Sequence, residues 1–390
     1  MNFFNDLTKL ENSKTDCDVI YIDFSKAFDR IPRNKLVHVL QHYNINRPTV
    51  DWIQDLLSNR LQKTVVENEF SNLCSVTSGV PQGSVLGPLL FVLYLESLLG
   101  ELQQECVHTN IYAFTDDVKL LSNDSADLQK ALNIIEAWAL KWELLIQPAK
   151  SEHLSFSFNT SVLHNQNTFT INNAAISLCE SVTDLGIVLS NNLKWSNYIQ
   201  KITTKANTIS YTILRAFQSR NINLMVQLFK TYVRPILEYN TSIWTPHLSS
   251  DKKCVEKVQR NFTKRLCQKH NVKFRDYSHR LQILKLESLE IRRIKFDLIL
   301  VYKIYHGIID IDFNNFFQTN LAATKYNLRG HDQRLQVHRY SGSTTRNHFF
   351  SNRVLDLWNK LPPVIINSET LDQFKSKLHK FELETILTPK

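Results

Sequence analysis

Apolar residues recur along this chain with two periods, and the change from one to the other divides it. Phe3, Phe4, Leu7 and Leu10 lie three or four apart, the spacing of a helix over 3–14. Val19 to Ile22 is a short apolar run that predicts a strand ending near Asp23 and Phe24. Leu36, Val37, Val39 and Leu40 begin a helix that runs to Tyr43, and Pro48 opens another over 48–58. Residues 63–77 alternate as a hairpin does, and Pro88 opens an apolar helix from Leu89 to Leu99. Ile111 to Leu121 reads as a tight hairpin around Thr115-Asp116-Asp117. Leu128, Leu132, Ile135, Ala139 and Trp142 then mark an amphipathic helix over 124–142. His153–Phe158 and Val182–Leu189 are further strands, and from 195 onward the period is helical. Polar stretches at 159–170 and 319–347 are the loop candidates.

The pattern predicts an α+β fold, with strands and helices first and a mainly helical region after. Boundaries fall at 1–158, 159–250 and 251–390. Charge follows the same division. Residues 1–200 hold 14 Lys/Arg against 22 Asp/Glu, and residues 201–390 hold 32 against 15. Within 251–300 alone there are 14 basic and 6 acidic residues. A half so basic suits a polyanionic partner, and a solvated helical surface has the same composition.

The hydrophobic fraction of 43% is that of a globular protein. The Leu89–Leu95 run is too short to cross a bilayer, and Met1 to Asp6 has no basic-then-apolar signal. Six scattered cysteines without a Cys-x-x-Cys pair suit a reducing compartment. Cys254, Cys267 and His270 are the one loose cluster, and they lack a fourth ligand at suitable spacing. The expectation is an intracellular protein of nucleus or cytoplasm, neither secreted nor membrane-spanning.

Three features carry chemistry. Phe114-Thr115-Asp116-Asp117 places adjacent carboxylates between apolar arms, where they repel each other unless a divalent cation neutralises them. A surface turn often contains the same pair. Asp23 ends an apolar strand and can face that hairpin, although it also fits a helix N-cap. Two Mg²⁺ ions ~3.5–4 Å apart stabilise attacking and leaving oxygens in nucleotidyl transfer, and they need carboxylates from more than one segment. Ser78 to Pro88 packs three glycines and two prolines into eleven residues, which sets a backbone path that a nucleotide can approach closely. An ordinary loop into a buried helix would read alike.

Taken together, these segments resemble the reverse transcriptases of non-LTR (LINE-type, jockey-like) retrotransposons. Tyr21 to Asp29 is similar to motif A, Gly79 to Phe91 to motif B, Ala113 to Asp117 to motif C, and Gln147 to Ser151 to motif D. The resemblance implies a right-hand polymerase palm, an antiparallel sheet packed on helices, followed by a helical thumb and C-terminal region. It implies Asp23, Asp116 and Asp117 as metal ligands for two Mg²⁺ (or Mn²⁺). It makes Phe28 the gate against ribonucleotides, with Phe24, Gln82 and Gly83 at the nucleotide and Lys150 at the leaving pyrophosphate. RNA template, DNA primer and dNTP would be the partners. Asp184 to Leu189, Arg234 to Trp244 and Arg346 to Leu378 are similar to later family segments. Trp195, Trp244 and Trp358 read as packing anchors rather than base-stacking platforms.

The chain departs from the family at Thr115, where Ala is usual, at Gln147 and Arg33, and at Glu96-Ser97. Only 22 residues precede Asp23. Fingers and endonuclease are therefore expected to be missing, and the isolated chain to be weak or inactive. The alternative is a nucleic-acid-binding remnant without catalysis.

Overall fold

A computed structural model of the chain describes residues 1–158, 167–319, 331–341 and 343–387. It contains two compact units, Lys14–Val182 and Met1–Ser13 with Thr183–Lys390. Packing thus draws its boundary at 182/183, where the sequence suggested divisions near 158 and 250. The first helix, Asn2–Ser13, belongs with the later residues because Arg346 holds it. The buried Arg346 Nη1 donates to Asn5 Oδ1 at 2.8 Å and to Thr8 Oγ1 at 2.9 Å.

The first unit is built on five strands: β1 (Cys17–Ile22), β2 (Thr109–Phe114), β3 (Asp117–Ser122), β4 (Glu152–Phe156) and β5 (Ser177–Cys179). Their order is β5-β4-β1-β3-β2. Every pairing is antiparallel except β5 on β4, which is parallel. In β1 all residues but Tyr21 are buried, so the strand is covered on both faces rather than alternating between core and solvent. One sheet face, with Ile20, Ile22, Val118 and Leu120, joins a core closed by helices Arg33–His42, Arg47–Leu57, Leu86–Glu105 and Ser125–Trp142. The last of these is capped by Asp124, whose side chain accepts from the Ala126 and Asp127 N–H groups. It buries Leu128, Ala131, Leu132, Ile135, Trp138 and Ala139, and each large side chain among them contributes roughly 1.5–3 kcal/mol.

Three sequence expectations change. The Leu86–Glu105 helix is twenty residues long and, by length and composition alone, apolar enough to cross a bilayer. It buries Leu90, Phe91, Tyr94, Leu95, Leu98 and Leu102 in the core instead. Pro88 lies in its first turn, where a missing N–H leaves no bond broken. The hairpin expected at 63–77 is two nested ladders, Leu61-Gln62 with Cys74-Ser75 and Val65-Val66 with Glu69-Phe70. Glu67 and Asn68, at φ 47° and 73°, form its tip. The strand expected at 182–189 is a short hairpin of Ser181–Asp184 and Ile187–Ser190, because Leu185 and Gly186 turn it at φ 46° and 83°. The loop expected at 159–170 lies largely outside the described residues, as does 320–330 of the 319–347 segment.

The second unit is mainly helical, with long helices Ser196–Ala216, Ser249–Lys269 and Leu289–Tyr305. Trp244 and Trp358 are fully buried, with indole N–H groups donating to Tyr239 O at 2.7 Å and Gln333 O at 2.9 Å. Trp195 packs on Phe4. The tryptophans are the anchors that the sequence suggested.

The sheet carries a buried carboxylate held by hydrogen bonds. His153 Nε2 donates to Asp18 Oδ1 at 2.8 Å, and Asn167 Nδ2 donates to Oδ2 at 2.9 Å. Burial pushes the Asp18 carboxyl up, but hydrogen bonds from His153, Ser155 and Asn167, and the nearby imidazole, outweigh it and hold the group below the usual range. A carboxyl lowered in the fold stabilises above its unfolded value of ~3.9, and that contribution is lost as pH falls through the folded value. Asp18→Asn is expected to cost ~1–3 kcal/mol at neutral pH. In urea unfolding the gap to wild type should close as pH falls from about 5 into the acid range where Asp18 takes up its proton. A gap that stays constant across that window would mean the carboxylate charge contributes nothing.

Candidate active site

Strand register brings two of the sequence-predicted carboxylate segments together. β1 pairs with β3 so that Ile22 faces Val118 and Tyr21 faces Lys119. The pairing ends at Ile22 and Val118, with Asp23 next after Ile22 in the chain and Asp117 next before Val118. Phe114 and Asp117 close the β2–β3 hairpin, and Thr115 and Asp116 form its tip. Thr115 sits at φ 54°, a left-handed conformation that is strained for a β-branched residue. Its Oγ1 donates to Asp116 Oδ1 at 2.9 Å and so ties the carboxylate to the turn. Asp23 and Asp116 are half-buried, and Asp117 is exposed.

Two loops are fastened to the residues around Asp23. The Gln147–Ser151 turn binds it directly: Gln147 N–H donates to Asp23 O at 2.9 Å, and Asp23 N–H donates to Ser151 Oγ at 3.3 Å. Lys150 stands exposed on this turn. The glycine loop rests on the end of the 21–31 segment. Gly79 N–H donates to Ile31 O and Val80 N–H to Phe28 O, both at 2.8 Å, while Ser78 Oγ donates to Asp29 O at 2.8 Å. Arg60 Nη2 adds a bond to Ser78 O at 3.1 Å. Gln82 Nε2 donates to Asp29 Oδ1 at 2.9 Å.

The remaining site residues divide by direction. Phe28 stacks on Phe91 with ring centroids 4.9 Å apart and stays half-buried. Phe24 does not offer a side chain to a nucleotide: it is 5% exposed and packs in the core against Trp138, because it lies on the opposite side of the chain from Asp23. Only its backbone remains for that role. Gly83, at φ 74°, has open space where a side chain would stand.

The sequence reading missed three contributors. Lys119 is buried two residues beyond Asp117, on the same strand face, with its ammonium 5.9 Å from the Tyr21 ring. Arg60 and Ser151 hold the loops. Their contacts join residues 18 and 128 positions apart, so no local pattern announces them.

Asp23, Asp116 and Asp117 offer only hard carboxylate oxygens, the donor type that Mg²⁺ prefers. Among the described residues no three acidic, histidine or cysteine side chains stand close enough to hold an ion unaided. Mg²⁺ commonly keeps waters and takes substrate phosphates beside one or two carboxylates, and this donor set fits that habit. Cys254 and Cys267 are 13 residues apart on one helix, ~20 Å along its axis, too far to share an ion.

A carboxylate-tipped hairpin opposite the end of a central strand, flanked by a glycine loop, defines the palm of a nucleotide polymerase. The family profile "Reverse transcriptase (RNA-dependent DNA polymerase)" matches residues 2–212. The chain belongs to this family. It is 24% identical over 257 residues to the probable RNA-directed DNA polymerase from transposon X-element of Drosophila melanogaster, covering 64% of this chain and 28% of that protein. It is 23% identical over 240 residues to the RNA-directed DNA polymerase from mobile element jockey of Drosophila funebris, covering 57% and 25%. The chain thus spans about a quarter of the length of these relatives. Among solved structures it is similar to apo telomerase from Candida tropicalis, with a TM-score of 0.41 and 11% identity over 75% of this chain and 51% of that one.

The two loop glycines separate crowding from backbone twist. A Cβ at Gly79 would lie 2.6 Å from the Asp29 backbone, whereas one at Gly83 would meet nothing within 4 Å. Gly79→Ala is therefore expected to destabilise the unit by about 2–4 kcal/mol, combining left-handed strain and overpacking. Gly83→Ala should cost only about 1–2 kcal/mol. Equal losses in urea unfolding would show that the loop does not rest on the Asp29 backbone.

Proposed function

We propose that the chain is the RNA-directed DNA polymerase part of a non-LTR retrotransposon protein. The observation that supports this reading is the β1–β3 register, which ends at Ile22 and Val118, the neighbours in the chain of Asp23 and Asp117. A primer 3′-hydroxyl oxygen attacks the α-phosphorus of a dNTP and forms the new P–O bond. The bond from that phosphorus to the bridging oxygen breaks, pyrophosphate leaves, and the hydroxyl proton passes to solvent water. Asp23 and Asp116 would hold two Mg²⁺ ions, with Asp117 in support. Bound there, the ions stabilise charge on the attacking and leaving oxygens.

The chain's own residues do the rest. Gln82 and Gly83 line the nucleotide, with the Phe24 backbone beneath it. Phe28, braced by Phe91, excludes a 2′-hydroxyl. Lys150 supplies a proton to the departing pyrophosphate. RNA is the template and DNA the primer. The six cysteines are free thiols, which suits a reducing compartment such as cytoplasm or nucleus.

Primer extension on an RNA template with dNTPs and Mg²⁺ tests the reading. Asp116→Ala is expected to lower incorporation by more than about a hundredfold, the most that loss of a merely supporting ligand costs. Incorporation that survives the substitution overturns the assignment. The basic second half favours one other reading, binding without catalysis. Salt-sensitive binding of template and primer with no incorporation by the wild-type chain would select it. The gate has its own test. Phe28→Val is expected to raise ribonucleotide use relative to deoxyribonucleotide by about ten- to a hundredfold, the range that one added hydroxyl commands in an apolar pocket. An unchanged ratio would remove Phe28 from the nucleotide pocket.

A further inference from the structure

The second unit contains a buried cation that its neighbours leave unsatisfied. Arg293, on the Leu289–Tyr305 helix, is 2% exposed, and its Nε and Nη1 meet no acceptor among the described residues. An unpaired buried guanidinium costs several kcal/mol, so a fold that keeps one has something to offset it. Three carboxylates attract Arg293 from nearby, Glu256, Glu290 and Asp297. Each is engaged elsewhere. Arg353 grips both oxygens of Asp297 at 2.9 and 3.1 Å, Lys252 binds Glu290 at 2.9 Å, and Glu256 accepts from Leu289 N–H at 3.0 Å.

Arg293 lines a cavity of about 230 Å³. His247 and His348 line it too, stacked with centroids 4.6 Å apart and planes 5° from parallel. Burial, with the cations around them, holds both imidazoles below the usual range. At neutral pH they are uncharged donors beside a fixed cation. Arg353 and Lys252 line it as well, paired with Asp297 and Glu290 on the same wall, so that Arg293 is the cation in excess. A guanidinium fork with flanking N–H groups in a concave pocket matches the tetrahedral oxygens of a phosphate.

The cavity adjoins a basic helix face. Lys252 and Glu290 line it and also line a larger cleft with Lys253, Lys257, Arg260 and Tyr277. On the Ser249–Lys269 helix, Lys253, Lys257, Arg260 and Lys264 are all exposed and recur four, three and four residues apart. That spacing forms one stripe, ~16 Å long. A strand whose phosphates follow the stripe reaches the Lys252–Glu290 pair, with the Arg293 cavity on its other side.

We propose that the Arg293 cavity is a phosphate site that holds one backbone or terminal phosphate of a nucleic-acid strand lying along the Lys253–Lys264 stripe. The site deepens the nucleic-acid reading of this unit and needs no polymerase activity.

Two measurements on the full chain test it. In the first, ¹³C-labelled histidine resonances are followed while single-stranded RNA with a 5′-phosphate, or inorganic phosphate alone, is added. RNA is expected to move the His247 and His348 signals. Signals that move with inorganic phosphate but stay still with RNA would assign the cavity to a small anion and overturn the strand proposal. Signals that stay still with both would overturn the site.

In the second, RNA affinity is measured by fluorescence anisotropy across a salt series. Arg293→Gln is expected to weaken binding about tenfold and to lower the salt slope by about one phosphate, with Arg293→Lys recovering part of the loss. The histidine readout needs no substitution and stands if Arg293→Gln fails to fold. Loss of binding on neutralising Lys253 and Lys257, with Arg293→Gln unchanged, would sink this proposal and leave the nucleic-acid reading intact. A wild-type chain that binds no RNA would sink both.

Discussion

The site depends on how β1 is seated between β3 and β4. Antiparallel pairing on both sides fixes which residue stands opposite which, and a slip of one position would turn every side chain to the other face. With Ile22 against Val118, the core-facing residues Ile20, Ile22 and Leu120 meet the helices. The same register ends with Asp23 and Asp117 next in the chain to that pair. Burying the apolar set and aligning the carboxylates are therefore one event. The carboxylates gain nothing from each other, so their placement rests on the hydrophobic face of the same strands.

Around that register the loops are fastened mainly by backbone. The glycine loop hangs on Phe28, Asp29 and Ile31 through main-chain groups, and the Gln147–Ser151 turn hangs on Asp23. Two segments that would touch a nucleotide thus share one short stretch of chain as their support. A displacement of residues 23–31 would move both together, which is how a site made of distant segments keeps its geometry.

Much of this was legible from periodicity. The Leu128–Trp142 face, the hairpin around Asp116 and the strand before Asp23 each carry a local pattern, and local patterns survive folding. Long-range pairing was not legible. Nothing near Asp18 announces His153, and nothing near Arg60 announces the carbonyl at 78. Pro88 was read as a start because proline favours first turns, yet the helix reaches back to Leu86. The family resemblance places Phe24 in the site, and strand alternation sends its side chain into the core. Arg293 was the least visible. In a basic amphipathic helix a buried arginine and a solvated one are written alike, and only packing separates them.

Thr115 gives the hairpin an uneven stability. Its left-handed turn costs about 1–3 kcal/mol locally, and β2, which it joins to β3, is the outermost strand of the sheet. Ala113 and Phe114 at the end of that strand are exposed and add little packing. The tip can therefore open by a local fluctuation that leaves β1, β4 and the helical core intact. Amide hydrogens around 113–117 exchange with solvent through such openings, while those of β1 wait for the whole unit to unfold. The acidic end of the sheet can therefore move without disturbing the strands and helices that hold it.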